Sequence, residues 1–599
     1  MKDSKLPIAD FHIFALKSLL WLVFAWTAFL LTLVGFFYAW LVWAVFLLGS
    51  IFVTSNFVKN FAISKISKEL WLVSLGLIIF VVALSFFTTP TLFSGRDQGS
   101  ISQAAIRLAQ NHALTFSTPA SNAFFGLRGP GRALNFPGFF YTSKGELTTQ
   151  FPLVYISWLA AFYGIFGLTG FIIANAVLSL LFLFSFYFLA RLFMSKRGSI
   201  IALLFASTSL SVFWFPKYTL SENLALPLVW LSIFASVSFL KKQTRLNLSL
   251  LLASATLLIF TRIEGIAIFA VCLLVIFWKK ENRNYLKSIL NWKFFVFLTL
   301  LFLVFLANTF WDFNFYKEII KAVLPPITPP QASTLSSVGD LDVSKFYLLK
   351  IFYLYGMLSF FVVALLACVS YGLQRKFFKL MPLLIVAPTL IYFFNSHISG
   401  DHPWMLRRFA FSILPAAIFF CALAIEDLRK YLKANTDNLI IKILPLLLAI
   451  LLVAGNLPAF FHFAFFSENQ KLLSQTQQLS EKFSAKDLVL IDNQTTGDGW
   501  SMLADPMSSL FGKNAVYFFD TNDLSKLDLK TFDNVFLIAP ESKIDYYTNS
   551  TIGNRLTPTD GYFLSTSRLD LSQENVGLPE NFPAEHFVTI SGTIFKVSK

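Results

Sequence analysis

Charge is what this sequence has least of. Asp, Glu, Lys and Arg make up 14% of its 599 residues, against 56% hydrophobic ones. Soluble domains run near a quarter charged, so the deficit excludes a wholly water-soluble chain and implies a polytopic membrane protein with a smaller soluble part. Cysteine is nearly absent. Cys272, Cys368 and Cys421 all lie inside apolar runs, which excludes a disulfide framework and a cysteine-held metal cluster. Acids are outnumbered by Lys and Arg, 33 against 48, for a net charge of +15. In a soluble chain that excess would suggest nucleic acid. Here the basic residues fall in short blocks between apolar runs, so they read as topology signals, and no nucleic-acid partner is expected. A fixed-period repeat and a cleavable signal are missing too, since Leu19–Leu48 is too long and ends in no small-residue cleavage pattern.

What is present is apolar length. Successive runs predict about thirteen spans in an all-α membrane domain. The first two, Ile13–Leu33 and Phe36–Phe52, form a hairpin at Gly35 within residues 1–69. A third, Trp71–Phe87, opens the main membrane domain, residues 70–466, and leads into a long loop, residues 88–150. Basic blocks at Arg191–Arg197, Lys241–Arg245, Lys279–Lys293, Arg375–Lys379 and Arg429–Lys433 are assigned to the cytoplasmic side of a plasma membrane. The loops with Asp97, Lys217, Arg262, Asp312 and Asp401 then share the outer face, provided that Phe151–Phe166 does not cross. That run is short, begins at a proline and is crowded with aromatics, so a re-entrant or surface helix is expected. From about Ser467 the composition changes. Strand-like runs at Leu488–Asp492, Ala515–Phe519 and Asn534–Ala539, with a helix at about Gly499–Phe511, predict an extracytoplasmic α/β domain over residues 467–599. Its first strand is followed by no phosphate-binding glycine loop, so no nucleotide cofactor is expected.

The stretch from Thr88 to His112 carries the chemistry. After Gly-Arg96-Asp97-Gln98-Gly the spacing of Ile101, Ala104, Ala105 and Leu108 predicts an amphipathic helix lying at the membrane interface. A carboxylate there, beside Arg96, can take a proton from a hydroxyl as general base. The plainer alternative for Asp97 is an N-cap of that helix. On the same face, Ser396-His397-Ile-Ser-Gly-Asp401-His402-Pro-Trp404-Met-Leu-Arg407-Arg408 places paired arginines before a span, against the positive-inside rule. Such a pair can hold a phosphate in charge-assisted forks; snorkelling to headgroups or a salt bridge to Asp401 is its alternative. Lys217 and Arg262 are second choices. His397, Asp401 and His402 could suggest a metal site, but with no matching cluster elsewhere they read more simply as solvated loop residues, and no metal or other cofactor is assigned. Glu264 is read as a partner of Arg262 and Glu222 as a helix cap, neither with a catalytic role.

The order of these motifs resembles the GT-C glycosyltransferases, and within them the polyprenyl-phosphate-sugar-dependent branch of protein mannosyltransferases and aminoarabinose transferases. It runs from Arg96-Asp97-Gln98-Gly through the helix ending Ala-Ile-Arg-Leu-Ala-Gln-Asn, Lys144-Gly145 and Gln150-Phe151-Pro152-Leu153. It continues through Lys217-Tyr-Thr-Leu-Ser-Glu222-Asn to Thr261-Arg262-Ile-Glu264-Gly265, covering roughly residues 70–425. The resemblance implies a sugar donor on a polyprenyl phosphate, an acceptor hydroxyl on a glycan, lipid or protein, and Asp97 as base in an inverting displacement. It implies substrate contacts at Arg96, Gln98, Lys144, Lys217, Arg262, His402, Arg407 and Arg408. Many relatives carry Asp-Glu where this chain has Asp97-Gln98, which removes a metal-binding acid pair. An oligosaccharide ligase or polymerase is the nearest rival reading, and a transporter or flippase the rival from another class.

Overall fold

A computed structural model describes residues 7–60, 66–289, 292–311, 313, 345–394, 402–570 and 581–599. Asp312, His397 and Asp401 lie outside them. Apolar helices dominate up to Phe463. Helix α1 (Ile8–Leu33) turns into α2 (Ala39–Asn60) through Gly35, whose φ of 70° favours glycine. Helix α3 (Lys68–Ser85) is capped by the Ser67 hydroxyl, which accepts from the Leu70 N–H, while Asp10 of α1 accepts from the Ser67 N–H and hydroxyl. Among the described residues five helices are long and apolar enough to cross a bilayer, or up to eight if three bent pairs each count once. About thirteen spans would require shorter apolar helices to cross as well.

The ion pairs of the helical part gather at two ends. At one, Glu69 takes up the Tyr187 hydroxyl, Arg191 and Lys196, and Glu426 takes up the Ser195 N–H, Arg429 and Lys430. Lys379 pairs with Asp427, Lys241 donates to the Leu192 carbonyl, and Lys279 to that of Leu240. All five basic blocks thus meet there. The opposite end holds Asp97, Glu222, Arg262 and Arg407, joined in one network.

Residues 88–150 fold into helix α4 (Asp97–Asn111), helix α5 (Pro119–Arg128) and a three-stranded antiparallel sheet, β1 (Gly131–Arg132), β2 (Phe139–Tyr141) and β3 (Leu147–Thr149). The amphipathic helix expected after Asp97 is present as α4, with the expected apolar face inward. It is buried from Gln98 through Ile106 and again at Leu108, with Ile101, Ala104, Ala105 and Leu108 in the main core. Its polar side meets the C-terminal domain instead of water. Arg107 donates to the Ser508 hydroxyl, Gln110 to the Ser509 carbonyl, and the Ser509 hydroxyl to the Gln103 amide oxygen. Helix α6 (Leu153–Phe166) is no surface helix either, since Leu153 through Phe162 are all buried. Its aromatics serve an internal cluster, Trp158 and Phe162 against Trp21 and Phe24 of α1, and Gly167 then turns the chain into α7 (Thr169–Phe193). Its 14 residues reach about 21 Å, short of a bilayer core.

After Ser467 a five-stranded sheet forms in the order β5-β4-β6-β8-β7. Strands β4 (Leu488–Asp492), β5 (Asn514–Phe518) and β6 (Val535–Pro540) are the runs expected from sequence and are parallel. The long antiparallel pair β7 (Leu556–Leu569) and β8 (Glu585–Val597) was not expected. The helix expected over Gly499–Phe511 shrinks to Ala504–Ser509. Gly499 has a φ of 68°, and the Asp498 carboxylate accepts the Trp500 and Ser501 N–H groups, which commits those residues to a turn.

Two outcomes follow from this arrangement. In a cysteine-free background, a cysteine at Lys530 should react with an impermeant maleimide on intact cells and one at Lys280 should not; the reverse pattern would invert the topology. Burial pushes the Asp505 carboxyl, beside α4, up to about 6 from its ordinary 3.8. A raised acid favours the folded state below its ordinary pKa and loses that contribution as pH rises through 6. The folded state should therefore weaken by up to about 3 kcal/mol as pH rises from below 3.8 to well above 6. Hydrogen exchange at α4 should report this, and Asp505→Asn should flatten it.

Candidate active site

A cavity of about 290 Å³ opens where six segments meet. Asp97 comes from the start of α4, and Phe151 and Pro152 from the entry to α6. Glu222 opens the helix Ser221–Lys241, while Arg262 and Glu264 lie at the turn before the helix Glu264–Phe277. Arg407 and Arg408 come from the short helix Arg407–Ala410, and Tyr392 completes the wall.

Asp97 is the first residue of α4, Arg96 stands at the N-cap, and no side chain caps the helix. The cap reading of Asp97 therefore fails. Its carboxylate instead accepts from Arg407 Nη1 at 2.7 Å, and its side chain is 45% exposed. Arg407 Nε lies 3.8 Å from Glu222 Oε1. Glu222 is 6% exposed and also accepts from Arg262 Nη1 at 2.8 Å. Arg262 forks onto Glu264, Nε to Oε2 at 3.2 Å and Nη2 to Oε1 at 3.0 Å, with its plane over the Phe411 ring. Arg408 sits with its guanidinium 5.3 Å from the Tyr392 ring centroid. Three arginines and three carboxylates thus line one space.

That alternation is what allows the group to be buried. Breaking a buried pair by removing one partner costs about 3–5 kcal/mol, because the other charge is left uncompensated. Glu222 and Glu264 occupy Arg262, which makes it a structural member of the network. Arg407 is the guanidinium in contact with the most exposed acid. A carboxylate held this way can receive a proton, and the neighbouring guanidiniums can hold an anion.

The other residues marked from sequence lie elsewhere. Arg96, Gln98 and His402 line a separate space of about 40 Å³ against the C-terminal domain, with Trp404, Glu468, Asp498, Trp500 and Arg568. There the Arg96 guanidinium lies between the rings of Trp404 and Trp500, 5.2 and 4.9 Å from their centroids. The Tyr355 hydroxyl is 2.9 Å from His402 Nδ1. Lys217 donates to the carbonyls of Phe463, Ala464 and Phe466, which ties off the end of the helix Leu439–Phe463. Lys144 is exposed at the turn between β2 and β3. Glu222, Glu264 and Tyr392 are the site members that sequence reading missed. An acid opening an otherwise apolar span was the available signal for Glu222. Among the described residues no group of three or more His, Cys, Asp or Glu is arranged to hold a metal ion.

No family model matches the chain, and no curated protein sequence does. Two solved structures of ArnT from Cupriavidus metallidurans are similar to it. The apo state shares 12% identity over 87% of this chain and 97% of that one, with a TM-score of 0.48. The form bound to undecaprenyl phosphate shares 11% over 88% and 98%, with a TM-score of 0.49.

The contact next to Asp97 can be tested directly. A Cβ at Gly95 would overlap the Trp500 backbone carbonyl, so only glycine permits the approach that seats Arg96 between the two indoles. Gly95→Ala should release the C-terminal domain, read as protease cleavage near residues 464–470 in protein of unchanged helical content. Undiminished protection would show that the approach is dispensable.

Proposed function

We propose that this chain is a GT-C-like membrane glycosyltransferase that moves a sugar from a polyprenyl-phosphate donor to an acceptor hydroxyl, with inversion. The observation that carries the reading is the convergence of Asp97 with Arg407 and Arg408 on one cavity, from segments some three hundred residues apart. Asp97 takes the proton of the acceptor hydroxyl. The acceptor oxygen forms its bond to the anomeric carbon from the face opposite the phosphate, the carbon–oxygen bond to phosphate breaks, and the electron pair leaves with the phosphate. No general acid is needed for such a leaving group, so one carboxylate suffices where glycoside hydrolysis uses two.

Charge is conserved within the cavity along that path. Before transfer one negative charge sits on Asp97 and one on the donor phosphodiester. After it Asp97 is neutral and the departing phosphate carries two. Arg407, already paired with Asp97, can follow the charge to the phosphate, an oriented cation matched to charge that develops in the transition state. Arg408 adds a second cation beside it. The outer-face acceptor and multi-pass plasma-membrane setting belong to the same proposal, supported by the segregation of the basic blocks away from this end.

The test is transfer from a radiolabelled polyprenyl-phosphate sugar by protein reconstituted into membranes that supply the acceptor. Asp97→Asn should lower turnover by about 10²–10⁴-fold while donor binding persists. Arg407→Ala should weaken donor binding or slow phosphate departure, and Arg407→Lys should restore only part, since a point charge cannot replace the fork. Wild-type turnover by Asp97→Asn would remove the base from the mechanism. Normal turnover by both Arg407→Ala and Arg408→Ala would remove the phosphate site.

A further inference from the structure

A second and larger space lies at the other end of the molecule. It is a groove of about 450 Å³ between α1, α3 and α7. Ile13, Phe14, Lys17, Ser18 and Trp21 of α1 face it, with Leu70, Trp71, Ser74 and Ile78 of α3 and Val177, Leu181 and Phe188 of α7. These recur at three- and four-residue intervals, so one side of each helix forms the walls. Along α7 the groove runs from Val177 to Phe188, about 16 Å at the helical rise and close to half of a 30 Å hydrocarbon core. Phe188 is one turn from Arg191, and Leu70 is next to Glu69, which pairs with Arg191. The groove therefore has the length of one leaflet and ends at the basic edge.

Its polar content is small and of one kind. Lys17 is the tenth residue of α1, inside the first apolar run. Among the described residues no carboxylate pairs with it. Lys17 is exposed and lines the groove. A cation within an apolar span calls for an anion. A phosphate oxygen supplies it, and an acyl chain fills the apolar length beside it.

We infer that this groove binds an anionic glycerophospholipid of the leaflet at the basic edge, with its phosphate at Lys17 and one acyl chain along α7. The site is independent of the transfer reaction. A zwitterionic headgroup brings its own cation and leaves the Lys17 charge less well matched, so the preference is for net negative lipids. Snorkelling of the lysine stem toward the headgroup level brings the ammonium to the phosphate.

The experiment titrates the detergent-solubilised full chain with phosphatidylglycerol or phosphatidylcholine and follows the thermal unfolding midpoint. Phosphatidylglycerol should stabilise the wild type at lower concentration than phosphatidylcholine. Lys17→Gln should weaken the phosphatidylglycerol response about fivefold or more and leave that to phosphatidylcholine unchanged. Lys17→Arg should retain the preference. Removing the charge at Lys17 lightens an apolar span, so the variant should fold with an ordinary midpoint before lipid is added. Lys433→Gln, an exposed basic residue outside the groove, controls for general attraction to the basic face. Equal responses to the two lipids in the wild type, a wild-type response from Lys17→Gln, or an equal loss from Lys433→Gln would each overturn the site.

Discussion

The ion pair between Asp97 and Arg407, 310 positions apart, sets what the neighbouring structure must do. An arginine and an aspartate meeting beside buried apolar walls need every further charge nearby to be matched. Glu222 does most of that matching, since it touches both Arg262 and Arg407 while almost fully buried. Arg262 in turn needs Glu264, and that pair lies within three residues. The cluster is therefore one electrostatic unit assembled from four segments. Its members are poor candidates for independent variation, because a single loss strands an opposite charge.

The C-terminal domain acts on the same unit from behind. Trp500 approaches the backbone at Gly95, and Arg96 is held between Trp500 and Trp404. Asp97 follows Arg96 directly, and Arg407 follows Trp404 by three residues. Each half of the ion pair thus has a sequence neighbour at the contact where Arg96 meets Trp404 and Trp500 of the C-terminal domain. Farther along, Arg128 pairs with Asp523, and the Asn135 side chain donates to the Tyr517 carbonyl. Hydrogen bonds and ion pairs of this kind fix orientation even where their net stabilisation is modest. The domain forms a wall against which α4 is positioned.

Some of this was legible in sequence and some was not, for physical reasons. Strands β4, β5 and β6 are buried, nearly continuous apolar runs, so their ends fall within a residue of the reading. Strand β8 alternates exposed and half-buried residues along most of its length, and that weak pattern concealed it. Arg407 and Arg408 stood out because cations at that face break a strong rule. Glu264 was hidden by a correct local explanation, its pairing with Arg262, and Glu222 by a plainer one, a cap on the helix it opens. Arg96 and Gln98 flank Asp97 in the chain but turn away from its cavity, because successive helical residues point in different directions. The polar side of α4 read as water-facing. Sequence alone cannot distinguish water from the polar surface of a second domain, and that is where the hydroxyls of Ser508 and Ser509 sit.

The balance of the cavity also bears on the rival donor chemistry. Three guanidiniums facing three carboxylates leave no standing surplus of positive charge. In the proposed reaction one carboxylate is neutralised as the leaving group gains its charge, so a monophosphate finds its compensation at the moment it departs. A pyrophosphate leaving group would bring further negative charge into the same space, with Arg262 already committed to Glu222 and Glu264. Desolvating that extra charge without another cation is costly. Under the proposed reaction the arrangement would suit a single phosphate, and the carboxylates that limit its charge are the same ones that allow the arginines to be buried.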